Sequence, residues 1–215
     1  MKLPVLTSVL IFILILHHKI SKGKKTRQQE EDAYWEREFS ANHVRKGNLN
    51  DLTYIMFQAE PFYPVNLLDT ISCPEFLERN PEIKNILPRF VFLENQKIVN
   101  LAEYTNTDLK FKYGVANLTL LIQYDTNYSE LISLLHSYGS IFAKEGFDSQ
   151  ALSILEYAVS IGTDISATYI TCAEIYRKNN QWVKIEWLKK EAEKISTSRK
   201  NSIVRKLQEF GPYND

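Results

Sequence analysis

The first twenty positions contain one nearly continuous apolar block. Leu3–Leu16 is interrupted only by Pro4, Thr7 and Ser8, and Val9–Leu16 contains large apolar residues alone. Uninterrupted apolarity of this kind is typical of a segment that contacts lipid. The block is short for a spanning helix and close to the length of a signal-peptide core, so its flanks must distinguish the two.

The C-terminal flank favours a segment that is retained. A signal peptide ends in small residues, whereas His17-His18-Lys19-Ile20 follows the block. A helix over Leu3–Ile20 would be about 27 Å long at ~1.5 Å per residue, and a thin bilayer accommodates that length. We therefore predict a transmembrane anchor over residues 1–20. A cleaved signal or a buried soluble helix is the alternative.

The C-terminal third shows the clearest helical periodicity. Short breaks separate four helical patterns, and a fifth follows them: Tyr128–Lys144, Asp148–Ile161, Ser166–Lys178, Gln181–Ile195 and Ser198–Phe210. Helices of this length joined by short turns form antiparallel hairpins. Small residues at Gly139, Ala151 and Ala158 would let neighbouring helices approach closely.

A shift of 34 residues aligns this region with itself. The shift pairs small or aromatic residues with like residues: Gly139 with Ala173, Phe142 with Tyr176, and Ala158 with Ala192. A period of 34 is that of the tetratricopeptide repeat, which this region resembles. The resemblance implies two repeats over residues 126–195 and a capping helix in 196–215. Ile185 and Lys189 depart from the repeat pattern, which has a small and a bulky residue there.

The region between anchor and repeats is predicted to be an irregular helical subdomain, residues 33–125, after a basic juxtamembrane linker, residues 21–32. Thr26–Lys46 lacks glycine and proline, which indicates a helix, and its apolar residues form one stripe: Tyr34, Trp35, Phe39 and Val44. Leu52–Phe57 favours an extended conformation but has no partner strand. The predicted fold class is therefore all-α.

Prolines and caps place the short helices of this subdomain. Pro74 and Pro81 each fit the first turn of a helix, and we expect Pro88 to disturb the second of these helices. Asn106-Thr-Asp108 is predicted to cap a short helix that ends at Gly114. A further helix is predicted over Ala116–Asp125.

Charge is unevenly distributed along the chain. Lysine and arginine together number 26, as do aspartate and glutamate. The residues before position 28 include six basic ones and no acidic one, so the remainder has 20 basic and 26 acidic residues and a formal charge of −6. Phosphate binding needs positive surface, so we predict no nucleic-acid partner.

The basic cluster after the apolar block predicts a cytoplasmic body and an outside N-terminus. An exported cell-envelope protein is the alternative.

The sequence contains no recognisable catalytic motif. Its seven glycines form neither GxGxxG nor a phosphate-binding loop, HExxH is absent, and Cys73 and Cys172 form no CxxC. His136 and Cys172 could act as base and nucleophile, but nothing in the sequence brings them together. We therefore predict no enzymatic activity, catalytic residue, cofactor, metal site or small-molecule substrate.

The repeat resemblance implies a concave groove lined by the first helix of each hairpin. The candidate partner-binding residues are His136, Ser140, Ala143, Lys144, Ile170, Glu174, Arg177 and Lys178. The predicted function is a membrane-anchored adaptor or scaffold that binds other proteins, with the bilayer contacted through residues 3–20. The alternative is a structural assembly subunit that packs through a helix over residues 28–46.

A second resemblance rests on the order of segments. An apolar N-terminus, Trp-Glu-Arg-Glu at Trp35–Glu38, YGxANL at Tyr113–Leu118 and a repeat pair follow one another. This order resembles a family of N-terminally membrane-anchored proteins from anaerobic Gram-positive bacteria. That resemblance implies a location at a membrane and no particular activity.

Overall fold

The computed structural model describes residues 3–69 and 72–211, and every regular element within them is helical. The prediction of an all-α protein is confirmed. A single 3₁₀ turn spans Glu60–Phe62, and the α-helices are α1 (Leu3–Asn42), α2 (Pro64–Leu67), α3 (Ser72–Arg79), α4 (Ile83–Glu94), α5 (Asn106–Tyr113), α6 (Val115–Lys144), α7 (Asp148–Ser160), α8 (Ser166–Lys178), α9 (Trp182–Ala192) and α10 (Lys200–Gln208).

Helix α1 is 40 residues long and continues without a break through the basic segment 21–32. Most side chains of the predicted anchor, those of residues 3–11, 13–15 and 18, lie outside the described part of the chain. Phe12, Leu16 and Ile20 are described and are 64%, 47% and 50% exposed. Within the described residues, no helix combines the length and apolarity needed to cross a membrane.

The chain divides into two compact units. The first contains the residues up to Asn48 together with Thr105–Leu118, and the second contains Leu49–Tyr104 and the residues from Thr119 onward. Helix α6 contributes its first four residues to the first unit and the others to the second.

Helix α5 of the first unit begins with a reciprocal cap. Asp108 donates its backbone N–H to the hydroxyl of Thr105 at 3.2 Å, and Thr105 donates its own N–H to the Asp108 carboxylate at 2.9 Å. This capping box places the N-cap at Thr105, one residue before the predicted capping segment. Arg37 of α1 donates to the same carboxylate at 2.6 Å. Hydrogen bonds to the carboxylate from the hydroxyl and the N–H of Thr105 and from Arg37 hold the pKa of Asp108 at about 2, below its ordinary value of 3.8.

Glu38 joins α1 to α5 within the first unit. Its carboxylate accepts hydrogen bonds from the ammonium group of Lys110 and, at 2.8 Å, from the hydroxyl of Thr107. The Lys110 and Thr107 hydrogen bonds lower the pKa of Glu38. Ala41, one turn further along α1, is fully buried, so both charge pairing and close packing define this face of the helix.

Two glycines let backbone segments cross in the first unit. Gly47 donates its N–H to the Tyr113 carbonyl at 2.8 Å, and Asn117, fully buried, donates to the Gly47 carbonyl at 2.9 Å. Gly114 has a φ of 80°, and a Cβ there would clash with the backbone of Arg45. Only glycine combines this φ with so close an approach.

Aromatic rings fill the core between the 49–104 segment and α6 in the second unit. The Phe76 and Phe142 ring centroids are 4.5 Å apart, and Tyr138 contacts both Phe142 and Phe90 edge-on, at 5.0 and 5.6 Å. The Tyr138 hydroxyl donates to the carbonyl of Phe62 at 2.8 Å. A second cluster joins helices α7 to α10 through buried residues that include Tyr169, Tyr176, Ile185, Ile203 and Leu207.

Two predicted interruptions are absent. Helix α6 is continuous through residues 126 and 127, because Thr126 donates to the Ile122 carbonyl at 2.8 Å and Asn127 donates to the Lys97 carbonyl at 2.9 Å. Both polar side chains therefore find partners while the backbone stays helical. Helix α4 continues through Pro88, because buried residues before and after the proline, Ile83, Ile86, Phe90 and Leu93, hold both halves in the core.

Candidate partner-binding groove

Helices α4, α6 and α8 line an open groove of about 860 Å³ in the second unit. Its lining is mixed: Ile86, Leu134 and Ile141 contribute apolar surface, and Ser137 and Thr171 contribute hydroxyl groups. The groove therefore offers both apolar surface and hydrogen-bonding groups.

The groove face of α6 follows from helical spacing. Leu135, Tyr138 and Phe142 face the core and are fully buried. His136 and Ser140, which are four residues apart, consequently share the face that lines the groove. Tyr169, Cys172, Ala173 and Tyr176 of α8 are buried in the same way and direct Ala167, Thr171 and Glu174 to the groove.

His136 is a half-buried residue on the groove surface. Its Nδ1 lies 3.2 Å from the hydroxyl of Thr168, which is fully buried. Burial lowers the pKa of His136 below its ordinary value, so the ring is neutral at neutral pH. His136 therefore offers a partner hydrogen bonding without a positive charge.

Five of the residues predicted from the sequence line this groove together: His136, Ser140, Ala143, Lys144 and Glu174. The other three lie elsewhere. Ile170 packs against the buried cluster of α7 to α10. Arg177 places its guanidinium 4.9 Å from the ring centroid of Phe210, and Lys178 donates to the carboxylate of Asp148 at 2.6 Å.

The wall formed by α4 was not predicted from the sequence. Glu82, Asn85 and Ile86 line the groove opposite α6 and α8. The repeat resemblance begins at residue 126 and carries no information on what packs beside the first repeat. The apolar spacing of Ile83, Ile86 and Phe90 does indicate an amphipathic helix, and its buried face marks α4 as part of the core.

One ion pair attaches this wall to α6, and a second joins α3 to the residue that follows α6. Arg89 contacts Glu130 through two nitrogens at 2.6 and 2.7 Å, and Arg79 contacts Glu145 at 3.0 Å. All four side chains are partly exposed, so solvent screening keeps the contribution of each pair small. The burial of Ile86 and Phe90 contributes most of the attachment.

A smaller cavity of about 210 Å³ lies among α6, α7 and α9. Its principal polar group, the hydroxyl of Tyr128, donates to the Gly162 carbonyl at 2.7 Å and accepts from Asn100 at 3.0 Å. Glu191 pairs with Lys194 at 2.7 Å at the same cavity. Tyr128, Asn100, Glu191 and Lys194 are thus paired within the cavity lining, whereas the Thr197 hydroxyl is buried there without a hydrogen-bond partner among the described residues.

The two cysteines are buried and carry no disulfide. Burial raises the pKa of the Cys172 thiol well above its ordinary value, so it stays protonated at neutral pH and is a poor nucleophile. In the described part of the chain, no group of three or more histidine, cysteine, aspartate or glutamate side chains is arranged to hold a metal ion. Comparison with protein-family models, curated proteins and solved structures gave no match.

Proposed function

We propose that this protein is a membrane-anchored adaptor of the tetratricopeptide-like kind, which binds a segment of another protein in the groove formed by α4, α6 and α8. The single observation that carries the proposal is the groove itself, in which five predicted residues from two helices share one open surface with an unpredicted third wall.

The turns between helices support the repeat interpretation. Gly146 and Asn180, 34 positions apart, both have positive φ, at 81° and 55°. The next residues, Phe147 and Gln181, donate their N–H groups to carbonyls five residues earlier, at 2.9 and 2.8 Å. Two turns thus have the same backbone geometry and hydrogen bonding at the repeat period. The turn after α7 is closed in the same way, by Gly162 at a φ of 82° and by the Thr163 N–H donating to the Ala158 carbonyl at 3.1 Å.

The burial of equivalent helix positions also supports the repeat interpretation. The pairs separated by 34 residues are buried in both hairpins: Gly139 and Ala173, Phe142 and Tyr176, Ala158 and Ala192. The two positions that depart from the pattern are accommodated differently. Ile185 is buried in the core, whereas Lys189 is half-buried and donates to Glu186 at 2.7 Å.

Flanking segments explain how only two repeats form a stable unit, since such arrays normally need about three. Helix α10 covers α8 and α9 with Ile203 and Leu207, and Phe210, two residues after the helix ends, packs in the same cluster; all three are buried. The 49–104 segment covers the other hairpin with its aromatic residues. In our proposal both are caps that leave the groove face of α6 and α8 uncovered.

The anchor places this groove close to the bilayer in our proposal. Helix formation over residues 3–20 and the exposure of Phe12, Leu16 and Ile20 support insertion of that segment in lipid. The positive cluster that follows supports a cytoplasmic body. Tethering would raise the effective concentration of the groove for membrane-associated partners.

Site-specific photocrosslinking tests the groove. A photoreactive phenylalanine derivative at Ser140 of the full-length protein, in its native membrane, is expected to capture one recurrent partner. The same probe at Lys190, exposed on α9 outside the groove, is the matched control. Ser137→Trp should block capture by filling the groove, whereas Ser133→Trp on an exposed α6 position outside it should not. Equal capture at Ser140 and Lys190 would contradict the proposal.

A second candidate function is assembly through α1. Trp35 and Phe39 are 66% and 67% exposed, one turn apart, and Tyr34 beside them is 55% exposed. Exposed aromatic residues in a stripe favour a helix that packs against another chain. The double variant Trp35→Ala/Phe39→Ala would then reduce the mass of the detergent-solubilised assembly while leaving Ser140 crosslinking intact.

A further inference from the structure

Helix α1 carries a belt of cations immediately after the apolar segment. The cationic belt consists of five exposed side chains: Lys19, Lys22, Lys24, Lys25 and Arg27. No acidic residue precedes Glu30 in the sequence given, and among the described side chains Arg27 alone of the five has an ion-pair partner, Glu31 at 3.3 Å. Because α1 is continuous from Leu3 to Asn42, the helix fixes where each cation points.

The cationic belt surrounds the helix on every side. At about 100° of rotation per residue, its five positions leave no gap wider than about 100° around the axis. A folded protein or a nucleic acid approaches a helix from one side and would reach only about half of these charges. A ring of separate anions around the helix can neutralise all of them.

The length and position of the cationic belt along the axis of α1 match a lipid headgroup layer. Lys19 to Arg27 spans about 12 Å at ~1.5 Å per residue, and each polar layer of a bilayer is roughly 5–8 Å deep, a depth that flexible lysine side chains can bridge. The exposed residue Leu16 lies on the apolar side of the belt, and the exposed residue Ile20 lies between its first two lysines, Lys19 and Lys22. Acidic residues begin at Glu30, where a helix crossing the bilayer would have left the headgroups.

We propose that the cationic belt binds the phosphate groups of anionic phospholipids in the leaflet nearest the body of the protein. The proposal rests on the anchor of the proposed function. It adds a preference for anionic lipid, which an apolar anchor alone does not produce.

Lipid selectivity at the protein surface tests the proposal. The full-length protein is reconstituted in bilayers of about seven parts phosphatidylcholine to three parts phosphatidylglycerol, and spin-labelled lipids of each kind report which species is motionally restricted by the protein. We expect phosphatidylglycerol to be favoured about fivefold at low salt, with the preference falling at high salt. The variant Lys22→Gln/Lys24→Gln/Lys25→Gln should bring the two lipids close to parity.

The matched control removes the same charge elsewhere. Lys84, Lys190 and Lys206 are exposed lysines of the second unit, and their triple glutamine variant should retain the preference. Equal association of both lipids with protein that resists alkaline extraction would overturn the belt proposal and leave the anchor in place. Release of the wild-type protein by alkaline carbonate would overturn both.

Discussion

The hydroxyl of Tyr138 donates a hydrogen bond to the backbone carbonyl of Phe62 at 2.8 Å inside the largest core of the molecule. Tyr138 is fully buried and Phe62 is 7% exposed, so water does not satisfy either group. This bond ties the irregular 49–104 segment to α6, the helix that provides most of the groove surface.

Tyr138→Phe should destabilise the second unit. The substitution leaves the Phe62 carbonyl buried without this donor, at a cost of about 1–3 kcal/mol in the free energy of unfolding. Urea denaturation of the full chain in mild detergent measures the change. Tyr34→Phe, at an exposed tyrosine, is the control and should change stability by less than about 0.5 kcal/mol. Equal effects of the two variants would contradict a specific role for the buried bond.

Gly139→Ala should destabilise the α6–α7 hairpin. A Cβ at position 139 would lie 2.6 Å from the Cδ2 and Cγ atoms of Leu155, so the buried leucine must move. Overpacking of this kind costs about 1–3 kcal/mol. Gly23→Ala is the control and should not lower stability, because a Cβ there meets no atom within 4 Å and alanine favours a helix. A Gly139→Ala protein as stable as wild type would show that the helices are less closely packed than described.

Gly114→Ala should loosen the first unit. The φ of 80° is unfavourable for alanine, and the added Cβ would clash with the Arg45 backbone, so we expect a loss of at least about 2 kcal/mol locally. Amide hydrogen exchange in α5 is the direct measurement and should become faster. Exchange in α8, which belongs to the second unit, is the internal reference and should stay unchanged.

The cap of α5 should be sensitive to acid. Hydrogen bonds from Thr105 and Arg37 hold the pKa of Asp108 at about 2, below the 3.8 expected in an unfolded chain. The ionised carboxylate therefore stabilises the fold fully above pH 3.8, and that contribution is lost as the pH falls through 2. Carbon NMR titration of the Asp108 carboxyl measures this directly. Thr105→Ala should raise the pKa, and an unchanged value would contradict the assigned cause.

Local patterns predicted the helices of the C-terminal half closely. Helices α7 and α8 begin at the predicted residues, Asp148 and Ser166, because strong amphipathic periodicity and short polar breaks determine them. The break expected near residue 126 was wrong, since Asn127 bonds to the Lys97 carbonyl, a partner 30 positions away. Propensity within a short window contains no information on such a contact.

The part of the groove that α6 and α8 provide was predictable from local sequence patterns, and the part that α4 provides was not. His136, Ser140 and Glu174 follow from helical spacing and the repeat resemblance. The α4 wall depends on Phe90 reaching Tyr138, a contact between residues far apart in sequence. Lys178 also fits the repeat pattern, yet its pairing with Asp148 removes it from the groove lining.

Because both cysteines are buried, their reactivity reports whether the second unit is folded. Cys172 is fully buried and Cys73 is 6% exposed, so the folded chain should react slowly with maleimide reagents. Both lie in the second unit, which contains the groove, one on α3 and one on α8. Their labelling during stepwise heating would record the melting of that unit. The stability of each variant could thus be compared through cysteines that the chain already contains.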